Sequence, residues 1–198
     1  VFAGNIDYRK RRSYYRLQWD SNNTWQNDTV TATKVDASLS YQRLFKKNWS
    51  LGFVFGGSQN LELGTRLRLD LTPMIVRDIV YNNWNRFWTG AGVSAQREYA
   101  YDDSDPLSDL AGIVTVAWKV YKYTNPKAWV DANIIFIPYL TGDERYRANF
   151  NLNPKVGLVG NDLKLGFRFY YSYDSRPPRD ASSGSDWGIN LEITFTFH

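Results

Sequence analysis

The chain has 198 residues, so we expect a single domain over residues 1–198. Its net charge is only +4 and its only basic cluster is Arg9–Arg12, so nucleic-acid binding is not expected. The absence of Cys excludes disulfides and thiolate chemistry, and no apolar run approaches the roughly 20 residues of a transmembrane helix. The aromatic fraction of 17 %, with 8 Trp and 14 Tyr, is typical of proteins that place such rings at membrane–water interfaces.

Apolar and polar residues alternate with period two along most of the chain, which predicts β-strands. In chain order the segments lie at about 2–9, 13–21, 34–42, 48–57, 66–71, 86–99, 109–122, 127–138, 146–156, 163–174 and 187–197. Short turns are predicted at 10–12, 45–48, 81–85, 124–127 and 157–162, and they alternate with longer polar links at 22–28, 58–64, 101–108, 141–144 and 175–186. Transmembrane β-barrels have this alternation of short periplasmic turns and longer outer loops.

The last segment has the clearest alternation, with Trp187, Ile189, Leu191, Ile193, Phe195 and Phe197 on one face. Bacterial outer-membrane barrels commonly end on such a strand, and we therefore interpret Phe195 and Phe197 as the C-terminal barrel signal. An antiparallel up-and-down transmembrane β-barrel in the bacterial outer membrane is predicted. Its interior would be too wide for a layer of Leu and Phe to fill, so the apolar face should meet lipid. A soluble two-sheet sandwich is the alternative.

The strand count is odd, whereas single-chain bacterial barrels have even numbers. We expect twelve strands in the full protein, with one strand preceding Val1. The alternative is a ten-stranded barrel in which residues 1–9 form an arm. His198 follows the terminal aromatic, and a purification tag is one source for it. The prolines Pro73, Pro138 and Pro154 fall within predicted strands, and because proline cannot donate to the ladder we expect irregularities or strand ends there.

The polar face supplies the candidate lumen-lining residues. They are Arg16, Lys34, Asp36, Arg66, Arg68, Asp70, Glu98, Lys119, Asp131, Arg147, Lys155, Lys164, Arg168 and Glu192, and Asp20, Gln96 and Asp174 share this face. Such a lumen could hold a narrow aqueous path, its charges could pair and close it, or it could hold a ligand. Aromatics near the strand ends are candidate interface anchors: Trp19, Trp49, Trp84, Trp129, Tyr173 and Trp187.

From about residue 48 to 197 the sequence resembles the salt-induced outer-membrane protein family, a barrel family defined largely as a domain of unknown function. The carriers of the resemblance are Gly90-Ala-Gly-Val with Gln96-Arg-Glu-Tyr99, Thr141-Gly-Asp-Glu-Arg-Tyr-Arg147, and Phe169-Tyr-Tyr-Ser-Tyr-Asp-Ser-Arg-Pro-Pro178. The resemblance implies an outer-membrane barrel and no particular activity.

An enzyme is not expected, because the only His is the terminal His198 and no metal-ligand spacing exists, so neither cofactor nor metal is predicted. The expected function is a structural or stress-related envelope barrel, with or without a narrow pore. The alternatives are a passive channel for small solutes and a scaffold subunit of a larger outer-membrane complex. The expected partners are outer-membrane lipids and lipopolysaccharide, the barrel-assembly machinery during insertion, and protein partners in an envelope complex.

Overall fold

The structure is a computed structural model, and it describes residues 2–26, 29–101, 105–141, 144–159, 163–177 and 183–195. Its strands are β1 (Phe2–Lys10), β2 (Ser13–Gln26), β3 (Thr29–Lys46), β4 (Trp49–Asn60), β5 (Thr65–Tyr81), β6 (Asn85–Ala100), β7 (Leu107–Lys122), β8 (Ala128–Pro138), β9 (Tyr146–Val159), β10 (Leu163–Asp174) and β11 (Ser185–Phe195). Among these residues, no helix has the length and hydropathy that a membrane span needs.

The strands form one antiparallel sheet in sequence order, with β1 and β11 at its edges. The prediction of an all-β, up-and-down antiparallel architecture with eleven segments is confirmed. The ten-strand alternative is wrong, because β1 pairs with β2 from Phe2 opposite Ser21 to Lys10 opposite Ser13 and is therefore not an arm. The predicted link at 22–28 is also shorter than expected, because β2 and β3 continue to Gln26 and from Thr29.

The two ends of the sheet differ in their connections. We call the end with the connections β1–β2, β3–β4, β5–β6, β7–β8 and β9–β10 the turn end. We call the opposite end, where the remaining connections lie, the loop end. The sheet is curled, because strands that are distant in its order meet through side chains: Lys34 on β3 donates a hydrogen bond to Ser172 on β10 at 2.8 Å.

The two faces of the sheet have inverted polarity compared with a soluble protein. Large apolar side chains are exposed on the convex face, among them Leu39, Phe55, Leu71, Ile134, Ile189 and Leu191. The buried side chains on the concave face are mainly polar, among them Thr72, Ser94, Glu98, Arg147 and Asp174. Soluble proteins bury their apolar face, whereas membrane barrels expose it to lipid. The exposed apolar face is therefore the one that a bilayer would cover.

Two strands, β5 and β9, each contain a proline at which the pairing with one neighbouring strand is interrupted. The β5–β6 pairing passes from Leu71 opposite Ala95 to Met74 opposite Gly92 without a register shift, so Pro73 lies in a gap of that ladder. A Cβ on Gly92 would lie 2.2 Å from the carbonyl oxygen of Pro73, so the strands approach closely there. Pro154 lies in a similar gap between β9 and β10, whereas Pro138 ends β8. The irregularities expected at these prolines are therefore present, because proline lacks the N–H that the ladder needs.

Candidate functional site

Four charged side chains form a buried cluster on the concave face at the loop end, which we call the arginine–carboxylate cluster: Glu98, Arg145, Arg147 and Asp174. Arg147 donates through Nη2 to both Glu98 oxygens, at 2.9 and 2.8 Å, and through Nε to Asp174 Oδ2 at 2.5 Å. Arg145 also bridges the two carboxylates, with Nη2 2.6 Å from Asp174 Oδ2 and Nη1 3.1 Å from Glu98 Oε2. Bidentate, charge-assisted hydrogen bonds of this kind are among the strongest in proteins.

The cluster joins two neighbouring strands, β9 and β10, to the distant strand β6. Arg147 and Asp174 are opposite each other in the β9–β10 ladder, whereas Glu98 comes from β6. Arg145 precedes β9, and its carbonyl accepts a hydrogen bond from Tyr139 N–H at 2.9 Å. This bond continues the β8–β9 pairing beyond Pro138 and Tyr146, so Arg145 has the same parity as Arg147 and faces inwards. The Tyr139 ring lies 4.9 Å from the Arg145 guanidinium and 5.5 Å from that of Arg147, and its hydroxyl donates to Gln96. Tyr139 therefore supports both guanidinium groups from one side.

Arg68 adds a third guanidinium group beside the cluster. Arg68 approaches Glu98 at 3.5 Å, so three guanidinium groups face the carboxylates of Glu98 and Asp174. Thr65 donates to Glu98 at 2.9 Å. Arg147 Nη1 and Arg68 Nε are buried without a hydrogen-bond partner in the described part of the chain. Burial lowers the pKa of Arg145, in the loop before β9, but Asp174 and Glu98 more than offset this and the pKa is raised. Its charge is therefore permanent.

Three further contacts cross the concave face near the same end. Lys34 of β3 bonds to Ser172 of β10, and its ammonium lies 4.3 Å from the centroid of the Tyr170 ring. Asn60 of β4 donates to Asp186 of β11 at 2.8 Å. Asp20 of β2 pairs with Arg168 of β10. Together with the arginine–carboxylate cluster, these contacts connect β2, β3, β4 and β6 to β9, β10 and β11 across the interior.

At the turn end the ion pairs join strands that are adjacent or next but one. The pairs are Arg16–Asp7 at 2.7 Å, Arg86–Asp78 at 2.8 Å, Lys119–Asp131 at 3.3 Å and Lys155–Glu192 at 2.7 Å. The last pair spans β10 because Gly166, which lies opposite both residues, has no side chain between them. These pairs follow the wall of the sheet and do not cross its interior.

The structure places nearly all predicted lumen-lining residues on the concave face. These are Arg16, Lys34, Asp36, Arg68, Asp70, Glu98, Lys119, Asp131, Arg147, Lys155, Lys164, Arg168 and Glu192. Arg66 differs: it lies at the bulge between Thr65 and Leu67 and is exposed. That these side chains line a pore stays a prediction. Strand parity did not reveal Arg145, although it lies two residues before Arg147, because it precedes the strand.

The predicted interface aromatics have one clear exception. Trp19 and Trp49 lie on the convex face, Trp84 and Trp187 are exposed, and Tyr173 packs beside Tyr146 with ring centroids 5.7 Å apart. Trp129 instead lies on the concave face, opposite Lys155, with the Lys164 ammonium 4.9 Å from its ring centroid. This position does not fit the interface anchor expected for Trp129, whose strand parity matches that of Asp131 and Asn133. An interface role for the other aromatics stays a prediction.

The C-terminal signal is described only in part. The backbone of Phe195 pairs with Leu163 at the end of the β10–β11 ladder. Phe197 and His198 lie outside the described residues. In the described part of the chain, no group of three or more metal-ligating side chains is present.

Comparison with known proteins gives a family and a fold. Residues 1–197 match the family described as "Protein of unknown function, DUF481". The chain belongs to this family. The domain of unknown function expected from the resemblance is thus confirmed, whereas the salt-induced name stays a prediction. No curated protein matches the chain.

A solved structure described as the NanC porin in a rhombohedral crystal form has the same overall fold. It is 9 % identical to this chain, with a TM-score of 0.55, and the alignment covers 98 % of each chain. This likeness shows that the DUF481 chain has a porin-like β-fold.

Proposed function

We propose that this chain is an integral outer-membrane β-barrel of the Gram-negative envelope that forms a narrow channel of low conductance. The fold likeness to a porin and the exposed apolar convex face support the membrane location. The charged concave face supports an aqueous interior. In this proposal, the protein is not an enzyme.

The single observation that carries the channel proposal is the arginine–carboxylate cluster. Together with Arg68, which lies beside it, the cluster places three guanidinium groups and two carboxylates across the interior at the loop end. Charged rings and clusters set ion preference where they narrow a pore. One excess positive charge predicts a preference for small anions. Because the charges are mutually bonded, we expect a small conductance whose size depends on how firmly Arg145 is held.

A second candidate is a closed structural or stress-related barrel, and the contacts that cross the interior favour it. Lys34–Ser172, Asn60–Asp186 and Arg168–Asp20 connect opposite parts of the wall at the same end as the cluster. Buried charges that are fully paired can fill a small lumen without leaving a water path.

Conductance across planar bilayers tests the channel. We expect the refolded wild type to give small, reproducible single-channel steps with a preference for chloride. The substitution Arg145→Ala removes a loop side chain that is bonded to both Glu98 and Asp174. Because pore size and lining charge set conduction, it should enlarge the single-channel steps by about twofold or more. Lys119→Ala at the turn end is the control: it removes a charge whose ion pair does not cross the interior, so it should change the steps less than Arg145→Ala does. If neither the wild type nor Arg145→Ala conducts, the closed barrel replaces the channel.

The proposed partners follow from the proposed location. They are outer-membrane lipids and lipopolysaccharide at the convex face, and the barrel-assembly machinery during insertion. That machinery would recognise the C-terminal strand, which contains Phe195 and Phe197. A scaffold role with protein partners would be supported by stoichiometric co-purification of another envelope protein from native membranes. No nucleic-acid partner is proposed.

A further inference from the structure

Three exposed cations surround a tryptophan on the convex face at the turn end. We call this set the basic–aromatic patch: Arg43 and Lys46 on β3, Trp49 on β4 and Arg77 on β5. Lys46, Trp49 and Arg77 are direct cross-strand partners in one row of the sheet. The Arg77 guanidinium lies 5.2 Å from the centroid of the Trp49 ring, which holds it over the patch.

A β-bulge creates the patch. The β3–β4 register shifts between Leu44 and Lys46, so that Lys46 lies opposite Trp49. Without this shift, Lys46 would have the parity of Leu44 and Gln42 and would point to the concave face. Bulges re-aim side chains in this way. The fold therefore places a third cation on the convex face beside Arg43 and Arg77.

The cations of the patch are not paired with carboxylates of the described residues. Within the described ranges, Arg43, Lys46 and Arg77 have no acidic partner. The adjacent acid Asp78 lies on the concave face, where it accepts from Arg86 at 2.8 Å. The charge of the patch is thus available on the surface that faces lipid.

The rows of the sheet next to the patch are apolar. Leu51 and Ile75 lie beside Arg43 in the next row towards the middle, followed by Tyr41, Phe53 and Pro73. Leu51, Phe53 and Ile75 are exposed. Along this face the surface therefore changes from cationic and aromatic at the strand ends to apolar. A phospholipid has the same order, with an anionic phosphodiester above its acyl chains.

We propose that the basic–aromatic patch binds an anionic phospholipid, with its phosphodiester held by Arg43, Lys46 and Arg77 and its acyl chains along Leu51, Ile75 and Phe53. Trp49 lies at the level of the glycerol and headgroup, where amphipathic rings are favoured. Free phosphate satisfies the cations but not the apolar rows, so the surface is matched to a lipid. This inference rests on the proposed membrane location.

Lipid retention tests the proposal. The full chain is refolded into phosphatidylcholine vesicles that contain a minor fraction of phosphatidylglycerol and is then extracted in mild detergent. Native mass spectrometry counts the lipids that remain bound. The wild type should retain phosphatidylglycerol in preference to phosphatidylcholine. Each basic side chain at an anionic membrane surface changes binding about fivefold. We therefore expect the triple variant Arg43→Gln/Lys46→Gln/Arg77→Gln to retain at least about tenfold less phosphatidylglycerol than the wild type.

A matched triple substitution controls for the loss of charge. Lys10→Gln/Arg97→Gln/Lys122→Gln removes three exposed cations outside the patch and should retain lipid as the wild type does. Lys46→Gln alone should give an intermediate loss, and it serves if the triple variant does not refold. The proposal would be overturned if the patch variants retained as much phosphatidylglycerol as the wild type, or if the control variant lost as much as the patch variant. It would also be overturned if inorganic phosphate displaced the bound phosphatidylglycerol.

Insertion separates this inference from the proposed function. Membrane insertion is followed by the shift in gel mobility on heating, before lipid is counted. A wild type that does not insert would contradict the outer-membrane proposal itself. A wild type that inserts normally but retains no phosphatidylglycerol would contradict only the lipid site.

Discussion

The two ends of the concave face use similar charges in different ways. At the loop end, Arg147 and Glu98 are 3 % and 4 % exposed, and their contacts cross the interior. At the turn end, Lys119 and Asp131 are 31 % and 40 % exposed, and they join neighbouring strands. Exposed pairs contribute about 0–1 kcal/mol, whereas breaking a buried pair costs several kcal/mol. The loop end should therefore control both the stability of the curled sheet and the width of its interior.

The largest difference between the two ends is expected when one carboxylate is substituted at each end and the free energy of unfolding is measured. Glu98→Gln leaves three guanidinium groups facing Asp174 alone, so we expect a loss of about 3–5 kcal/mol in the free energy of unfolding. Asp131→Asn is the matched turn-end substitution and should cost less than about 1 kcal/mol. Urea unfolding in lipid vesicles, followed by Trp fluorescence, measures both values. Equal losses at the two ends would refute the distinction.

The region between the two ends depends on the close approach at Gly92. A methyl group there would lie 2.2 Å from the Pro73 carbonyl oxygen and 2.8 Å from Met74 Cβ. Gly92→Ala should therefore cost about 1–3 kcal/mol in the free energy of unfolding through overpacking. Gly57→Ala is the control, since its nearest neighbour would be at 3.6 Å. The same urea titration compares them, and a Gly92→Ala as stable as Gly57→Ala would contradict the close approach.

A smaller effect is expected from a single contact across the interior. Lys34→Met keeps the length of the side chain but removes the hydrogen bond to Ser172 and the charge over Tyr170. We expect a loss of about 1–2 kcal/mol in the free energy of unfolding. Lys164→Met removes the cation over Trp129 at the turn end and should cost about 0.5 kcal/mol. A larger loss from Lys164→Met would reverse the ranking of the two ends.

The smallest expected effect is a gain of stability in the β4–β5 turn. Burial raises the pKa of Glu62, and the nearby Asp186 raises it further. Because the folded pKa is above the unfolded value, its favourable contribution is present at acidic pH and is lost as the pH rises through the folded pKa. Glu62→Gln should therefore stabilise the protein by a few tenths of a kcal/mol at pH 7, since the group is partly exposed. A gain of the same size at pH 3.5 would contradict this origin.

Strand parity predicted the fold and most of the concave face, but it failed at register shifts and loops. Period two placed Glu98, Arg147 and Glu192 on one face, because the faces alternate without exception within a regular strand. A one-residue shift reverses the face, so the parity that assigned Arg66 to the concave face did not hold at its bulge, and the bulge at Lys46 was not foreseen. Arg145 has the parity of Arg147 but lies before the predicted start of its strand at 146, so the alternation within the strand did not include it.

The order of the sheet has a geometric consequence for its two edges. In an up-and-down sheet, all odd strands run in the same direction, so β1 and β11 are parallel to each other. Antiparallel pairing between them is excluded, and all-antiparallel closure needs a strand directed oppositely to both. In the proposed membrane location, each unpaired backbone group inside the hydrocarbon would cost several kcal/mol. A single added strand, antiparallel to both β1 and β11, would pair the backbone groups of both edges. The twelve-stranded barrel stays a prediction, and it is the smallest closed arrangement that meets that requirement.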